Sequence, residues 1–545
     1  MTSHATPTAA QQQALQELLA QLGPQVVLTG DHLPVRNQND YSGMLPTRPL
    51  AVVRPADTQG VSTAMRICHA HGIAVVPQGG LTGLCGGARA GTDQIALSLE
   101  RLVGIEEIDS ASATMTVAAG TPLETVQQAA LDAGFFCPLD LGARGSCAIG
   151  GNLSTNAGGN RVIRYGMARE MVLGLEAVLA DGTVMTSMNK MIKNNAGFDL
   201  KHLFIGSEGT LGIITRIVLK MFPKPGSTMT AICAADDFDT VLRLLNSARR
   251  DLGPLLSAFE VMWPDYWDFA TKQVASVRNP FGADAPERAA YVLIEALGTD
   301  PELDAPRFEA WLERLLEEGV VPDAAVAQSV ADARAFWGVR DACAELHPMW
   351  PRHMAFDIGL PVASMDEYAR RCKQELERRI PGCMSVFYGH IGDGNMHIVA
   401  YHPTAKEQPK DDVEDVIYGL VRDYGGTVSA EHGIGQYRVS EMVRCRAPAE
   451  LEIARRLRAR HFDRALDDGS GLCSRSRRAF DGSTGSKYWA LGIEYTKPSP
   501  TWRLTAVITP PRPSHTRVRA PTSTVPSSGF GETRHDHTTR ASSTS

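Results

Sequence analysis

The chain has 545 residues, of which 43% are apolar and 21% charged, and a formal net charge of −7. That length leaves room for roughly two to four domains, and a composition near the globular average supplies a sizeable core. The acidic balance argues against a nucleic-acid surface, no apolar stretch reaches the ~18 residues of a membrane span, and no two of the ten cysteines form a CxxC pair, which excludes a typical zinc knuckle or iron–sulfur cluster.

The start, MTSHATPTAAQQQALQELLAQLG, is polar and then amphipathic, without the charged and apolar regions of a secretory signal, so the expected address is cytoplasmic. RPLAVVRP (48–55) reads as a strand and TQGVSTAMRICHAHG after it as a helix with apolar residues three and four apart. HGIAVVPQGG (71–80) reads as a buried strand running into a glycine turn. TMTVAAGTPLETVQQAALDAG (114–134) repeats the scheme: strand, glycine turn, then an amphipathic helix capped by Thr121 with Glu124 three residues on. The alternation runs to LGIITRIVLKMFPKP (211–225), where two prolines close the region. From 226 to about 425, longer charged helices such as RFEAWLERLLEEG and MDEYARRCKQELERRI mix with strands. SAEHGIGQYRVSEMVRCRAPAELEIARRLRARHF (429–462) reads as helical again. Beyond about 470 the chain is rich in Ser, Thr, Pro and Arg with no sustained period. The expected organisation is an α+β domain over 1–225, a second α+β domain over 226–425, a C-terminal helical segment over 426–470, and a disordered or frame-shifted tail over 471–545.

Three glycine clusters stand out in the first region: PQGGLTGLCGGA (77–88), PLDLGARGSCAIGGNLSTNAGGNRVIRYG (138–166) and DLKHLFIGSEGTLGIIT (199–215). Glycine lets backbone N–H groups approach a ligand closely, and successive N–H groups in such turns form an anion nest suited to a pyrophosphate. None of the three is GxGxxG or GxxxxGK[ST], so neither a Rossmann nor a P-loop site is indicated. One such loop is as readily a plain turn; three through one α+β region are harder to explain that way.

GHIGDGNMH (389–397) and SAEHGIG (429–435) pose a second question. Gly392 and Gly394 break any helix between His390 and His397, whereas two strands joined by a tight turn would bring both imidazoles to one spot. Two histidines and a carboxylate suit zinc or another divalent ion with open positions. Isolated histidines, by contrast, are more often surface or hydrogen-bonded core residues.

Taken in order, these motifs resemble the FAD-linked D-2-hydroxyacid dehydrogenases, a branch of the vanillyl-alcohol-oxidase-type flavoproteins that holds D-2-hydroxyglutarate dehydrogenase, D-lactate dehydrogenase and the glycolate oxidase flavin subunit. The resemblance runs from about residue 30 to about residue 465. It implies an α+β architecture: a PCMH-type FAD-binding domain of two α+β subdomains plus an α+β substrate (cap) domain, with FAD stretched between the subdomains. Gly79, Gly80, Thr82 and Gly83 match the family's first loop. Pro138, Gly142, Ser146, Gly150, Gly151, Asn152, Thr155, Asn156 and Gly158 match the flavin-side loop, and Ile214 lies in the segment that meets the adenine half. Relatives that tether flavin covalently use a His or Cys in these loops. No His occurs between His71 and His202, so noncovalent FAD is expected, although Cys85 and Cys147 sit in the loops.

The family's metal ligands fall on His390, His397 and Glu431, with zinc the expected ion; its base falls on His432 and its carboxylate-binding arginine on Arg340. The implied reaction oxidises a D-2-hydroxy acid to the 2-oxo acid, hydride passing from Cα to flavin N5. A metal lowers the pKa of the hydroxyl, an imidazole takes its proton, and a planar guanidinium holds the carboxylate through two hydrogen bonds. The electrons then leave to a quinone, a cytochrome or an electron-transfer flavoprotein, and a homodimer is an open expectation.

Two departures bear on this reading. Ala344, Ala355 and Val399 stand where hydroxyglutarate-type relatives carry Thr, Lys and Asn, which removes partners for a second carboxylate and points to a monocarboxylic or bulkier D-2-hydroxy acid; Arg352 and His353 are the nearby cations. The family's LDPxGxxNPGK-like ending begins at Ala465-Leu466-Asp467 and then diverges. Three alternatives stay open: a non-redox FAD enzyme of the alkyl-dihydroxyacetone-phosphate synthase kind, a metal hydrolase using His390, His397 and Glu431 alone, and an inactive flavoprotein.

Overall fold

Thr8 opens the first helix. Its hydroxyl accepts from Gln11 N while the Gln11 side chain returns to the Thr8 N–H, a capping box that starts Ala9–Leu22. The structure, a computed structural model, describes residues 7–461. The tail expected over 471–545, and the end of the segment expected over 426–470, lie outside the described residues.

The strands Val27–Leu28, Ala51–Val53, Ile95–Ser98 and Val75–Gln78 form a four-stranded sheet in that order, with the last three parallel to one another. Their side chains are almost all buried, as parallel strands covered on both faces require. Five antiparallel strands follow in a second sheet, in the order Ile105–Asp109, Thr114–Ala118, Ile213–Lys220, Val172–Val178 and Val184–Ser187. Both sheets contribute to one continuous apolar core running from Ala14 to Met221.

The strand, turn and helix expected over 114–134 are present as Thr114–Ala118 and Leu123–Asp132, but Thr121 does not cap the helix. Pro122 occupies the cap position, and the Thr121 hydroxyl turns back to donate to Ala118 O at 2.7 Å and to accept from Gly104 N at 2.9 Å. A buried hydroxyl between two strand ends finds better partners there than at the helix start.

The remaining strands build a seven-stranded antiparallel sheet in the order Ala324–Val326, Ser227–Ala235, Ala290–Gly298, Leu256–Met262, Met384–Gly389, Asn395–Tyr401 and Met354–Gly359. Alternation along each strand splits its side chains between two cores. Met396, Ile398 and Ala400 pack with the helices Phe238–Ser247, Pro301–Glu317, Met365–Arg379 and Lys410–Asp423. Val399, Val386 and Tyr388 face the other way, against Pro264–Asp268, Val330–Asp341 and Leu346–Met349. This second face also carries Glu260, Asp357 and His397.

The segment expected to be helical over 429–462 is helical only from Val439, as Val439–Cys445 and Pro448–His461. Residues 429–435 form an irregular strap instead, because their N–H groups are taken by carboxylates from other elements. Among the described residues no helix is long and apolar enough to cross a membrane.

Candidate active site

The hairpin that carries the two histidines has the geometry the glycines suggested. Met384–Gly389 and Asn395–Tyr401 pair antiparallel with Tyr388 opposite His397, and a short turn, Ile391–Asp393, ends on Gly394 at φ +89°. His390 follows the first strand, and its ring centroid lies 5.2 Å from that of His397, nearly perpendicular to it. Both imidazoles are buried.

Glu260, in the middle of Leu256–Met262 and 1% exposed, organises one side. Its Oε1 is 2.6 Å from His390 Nδ1 and its Oε2 accepts from Arg340 Nε at 2.9 Å. Arg340, in the last turn of Val330–Asp341, also lies with Nη2 3.1 Å from His390 Nε2 and its guanidinium over the Tyr388 ring. Burial opposes charge on His390, but the Glu260 carboxylate outweighs it and lifts the pKa to about 9. Burial also opposes charge on Glu260, and His390 and Arg340 together still hold it at about 2. His397 has burial and the His390 charge both working against protonation, so its pKa is pushed well down.

Asp357 organises the other side. It lies directly opposite His397 in the strand pair and is fully buried. Its Oδ2 accepts from Ser429 Oγ at 3.1 Å and from the N–H groups of Glu431 and His432 at 2.8 Å each, and its Oδ1 accepts from Asn395 Nδ2 at 2.7 Å. Burial raises a carboxylate pKa, but His432, His397, Arg438 and the N–H donors outweigh it here and hold Asp357 well below the usual range. The strap thus delivers Glu431 and His432 beside the hairpin. Glu431 Oε1 reaches to 3.9 Å from His390 Nε2, and His432 stacks its ring at 6.0 Å from that of His397.

Two donor sets are close enough to hold an ion: His390, His397 and Glu431, and Asp357, His397 and His432, each with ligand atoms within 4.8 Å of one another. The chemistry separates them. Asp357 already spends both oxygens on four donors, whereas Glu431, among the described residues, accepts one hydrogen bond, from the Gly159 N–H through Oε1 at 2.6 Å. His390 and His397 turn Nδ1 toward Glu260 and Asp357, at 2.6 and 3.9 Å, and so aim Nε2 into the site, the arrangement metal-binding histidines use; on His390 that nitrogen also meets Arg340 Nη2 at 3.1 Å. The first set therefore fits a divalent ion, and Asp357 acts as the support.

The glycine loops meet each other and then this cluster. A Cβ on Gly80 would overlap the Ser146 carbonyl, and one on Gly79 would lie 3.4 Å from Ala148 Cβ, so the first loop packs on the stretch 146–151. The N–H groups of Gly79, Gly80, Leu81, Thr82 and Gly83 donate to no acceptor among the described residues. A Cβ on Gly142 or Gly151 would meet nothing within 4 Å, and the buried Asn152 Oδ1 lacks a partner. Consecutive free donors, open space and an orphaned amide oxygen fit a pyrophosphate and a flavin. Pro138 and Gly150 are buried under this cradle, Ser146 and Thr155 turn their hydroxyls to Ala143 O and Gly151 O, and Asn156, at φ +50°, accepts from Arg169 N. Ile214 is buried in the second sheet opposite Ala177. Gly158 decides the junction: a Cβ there would stand 2.5 Å from Glu431 Oε1.

Residues 49–187 match the model of the FAD binding domain, and residues 224–463 that of the C-terminal domain of FAD linked oxidases. D-2-hydroxyglutarate dehydrogenase of Arabidopsis thaliana, a mitochondrial protein by its name, is 38% identical over 73% of this chain and 70% of its own length. The enzyme of the same name from Xanthomonas citri pv. viticola is 36% identical over 76% of this chain and 87% of its own. The chain belongs to the FAD-linked D-2-hydroxyacid dehydrogenase family. Like its relatives, this family member is an FAD-linked oxidoreductase. The fold is that of the PCMH-type flavoproteins: 4-ethylphenol oxidase from Gulosibacter chungangensis superposes with a TM-score of 0.67 at 17% identity, over 87% of this chain and 99% of its own.

Sequence reading missed Glu260, Asp357 and Glu208. The first two had a signal: LSAFEVMW and HMAFDIGLP (256–263 and 353–361) set a lone carboxylate in an apolar strand, and a buried charge without a local partner marks a site.

Proposed function

We propose that the protein oxidises a D-2-hydroxy acid with a single carboxylate to its 2-oxo acid. The observation that carries this reading is the Gly159 N–Glu431 Oε1 contact of 2.6 Å, because it sets the cluster of Arg340, His390, His397, Glu431 and His432 against the flavin-side loop. Bound FAD supplies the acceptor for the Cα hydride, and a divalent ion held by His390, His397 and Glu431 supplies the Lewis acidity that lets an alcohol ionise near neutral pH. Arg340 holds the carboxylate next to the reacting carbon; Glu260 fixes its Nε end and leaves Nη1 with only long contacts, 3.7 Å to Asp341 and 4.0 Å to Cys343 Sγ. His432, a quarter exposed, takes the hydroxyl proton, oriented by Asp357 3.9 Å from Nδ1. Cys85 and Cys147 support noncovalent FAD: both are buried, and burial pushes Cys85 up to about 12 and raises Cys147, which leaves thiols in place of nucleophilic thiolates.

The strand pair beside Asp357 and His397 favours an apolar substrate. Ala355 and Val399 face each other across the strand pair on the same side as Asp357 and His397. Trp350 stacks on Tyr401 at 5.7 Å near by. The nearby cations are turned elsewhere: exposed Arg352 directs Nη1 to Lys406 O, and His353 gives its Nδ1–H to Trp350 O while burial lowers its pKa. Ala355 and Val399 offer a second carboxylate no hydrogen-bond donor. Anaerobic flavin bleaching with a panel of D-2-hydroxy acids tests this. D-lactate or a longer apolar acid is expected to beat D-2-hydroxyglutarate in kcat/KM. A tenfold preference for hydroxyglutarate, about 1.4 kcal/mol in transition-state binding, contradicts it.

A further inference from the structure

The strap that carries Glu431 and His432 is held from two sides by two carboxylates. From the seven-stranded sheet, Asp357 takes the N–H groups of Glu431 and His432. From the flavin-binding side, Glu208 takes those of Ile434 and Gly435: Oε1 accepts from Ile434 N and Oε2 from Gly435 N, both at 2.7 Å. The two N–H groups point the same way because Gly433 at φ +83° and Gly435 at φ +51° fold the strap into a small anion nest.

Glu208 is itself an unusual residue. Its φ is +52°, a conformation that a side chain with a Cβ rarely adopts and that persists only where the surroundings enforce it. Its N–H donates to Ser154 O at 2.8 Å, at the end of the short helix Ile149–Ser154 that forms the flavin-side cradle. Gly87 of the first glycine loop lies beside its carboxylate, where a Cβ would be 3.7 Å from Oε2. Cys85 of the same loop adds a third tie, its carbonyl accepting from Gln436 N at 2.8 Å. The backbone of Glu208 is thus anchored to one cofactor loop and its side chain sits against the other, while it holds the Ile434–Gly435 end of the strap.

We propose that Glu208 is a positioning residue for His432: its carboxylate fixes the strap in the register that presents the imidazole to the substrate, and ties that register to the flavin-binding loops. The action passes through the main chain of Ile434 and Gly435. A carboxylate can accept both N–H groups; a glutamine of the same shape must turn its amide N–H2 toward one of them and leave that donor unpaired.

This rests on the reading of His432 as the base, and the test separates the two. E208Q, H432A and the double variant of the full chain, loaded with FAD and metal, are compared in the rate of anaerobic flavin reduction by D-lactate. E208Q is expected to slow reduction at least tenfold alone but less than twofold in the H432A background, because residues acting as one unit are non-additive. FAD and metal per chain should stay at the wild-type level. Deuterium exchange of the peptide 429–438 should quicken in E208Q while that of 410–423 does not change, a readout independent of turnover. Equal losses in both backgrounds, a loss that tracks FAD content, or unchanged exchange in 429–438 would overturn the assignment of Glu208. H432A at the wild-type rate would overturn the base reading, and this proposal with it. Should E208Q fail to fold, E208D, which keeps both oxygens on a shorter stem, is expected to give a smaller loss with the same dependence on His432, and additivity there is equally fatal.

Discussion

The glycine loops and the ionisable cluster meet at Glu431, yet they are built by opposite means. The loops offer main-chain N–H groups and space, with side chains removed wherever one would intrude: Gly80 at Ser146, Gly158 at Glu431. The cluster offers side chains, and its buried carboxylates are each met in place, Glu260 by the charges of Arg340 and His390, Asp357 by hydrogen bonds from Asn395, Ser429 and the N–H groups of Glu431 and His432. The difference teaches where each is vulnerable. A main-chain site tolerates changes of side-chain chemistry and fails when a Cβ is added; a buried charge cluster tolerates small changes of volume and fails when one sign loses its partner.

The largest expected effect breaks the chemistry of the cluster without touching the loops. H432A should keep FAD and metal and lose ~10²–10⁴-fold in the rate of flavin reduction, measured by anaerobic stopped flow, the usual scale for removing a general base. The loss should shrink as pH rises, because hydroxide replaces the missing imidazole. If the variant instead loses flavin and stability together, His432 serves only the shape of the strap.

Next, E260L should unsettle the cluster itself. It leaves the Arg340 guanidinium and His390 buried with no carboxylate between them, a change that costs about 3–5 kcal/mol in denaturant unfolding. The pH dependence has a definite sign. Glu260 titrates at about 2 in the fold against 4.5 unfolded, so its contribution is present in full above about pH 4.5 and is lost as pH falls toward 2. The variant should therefore show a flatter loss of stability over that acid range than the wild type.

The smallest effect sharpens the reading of the loops. A Cβ at Gly80 collides with protein, so G80A should lower both stability and flavin occupancy. A Cβ at Gly151 meets nothing of the protein within 4 Å. G151A should leave flavin-free stability unchanged or slightly raised, yet weaken FAD binding by about 1–3 kcal/mol in a fluorescence titration, the usual cost of overpacking. Equal FAD affinity in G151A and wild type would mean that the open space beside Gly151 is not the flavin's.

Legibility followed the same division. The loops around Gly79 to Gly83 and Pro138 to Gly158 stand out in the sequence because contiguous glycines are visible there, and the turn between His390 and His397 because Gly392 and Gly394 permit little else. Thr121 does not cap because a capping box is a local pattern, and the hydroxyl is taken instead by Ala118 O three residues back and by the N–H of Gly104, just ahead of the neighbouring strand. The helix expected from 429 was misread for a related reason: apolar and charged residues alternate suitably there, but Asp357 and Glu208 claim the N–H groups a helix would use.

By itself the sequence determined the family, the α+β alternation and the glycine-rich loops, since all of these reside in runs of neighbouring residues. Only the tertiary structure decided which carboxylates support the site. Glu260 lies 130 residues before His390 and Asp357 lies 74 before Glu431. A lone acid in an apolar strand marks each as notable, but nothing local says which partner it will meet. What selects them is the pairing order of the seven-stranded sheet, which sets Leu256–Met262 beside Met384–Gly389 and Met354–Gly359 beside Asn395–Tyr401. A buried charge is stable only where such a pairing brings it a partner, and that is a property of the fold.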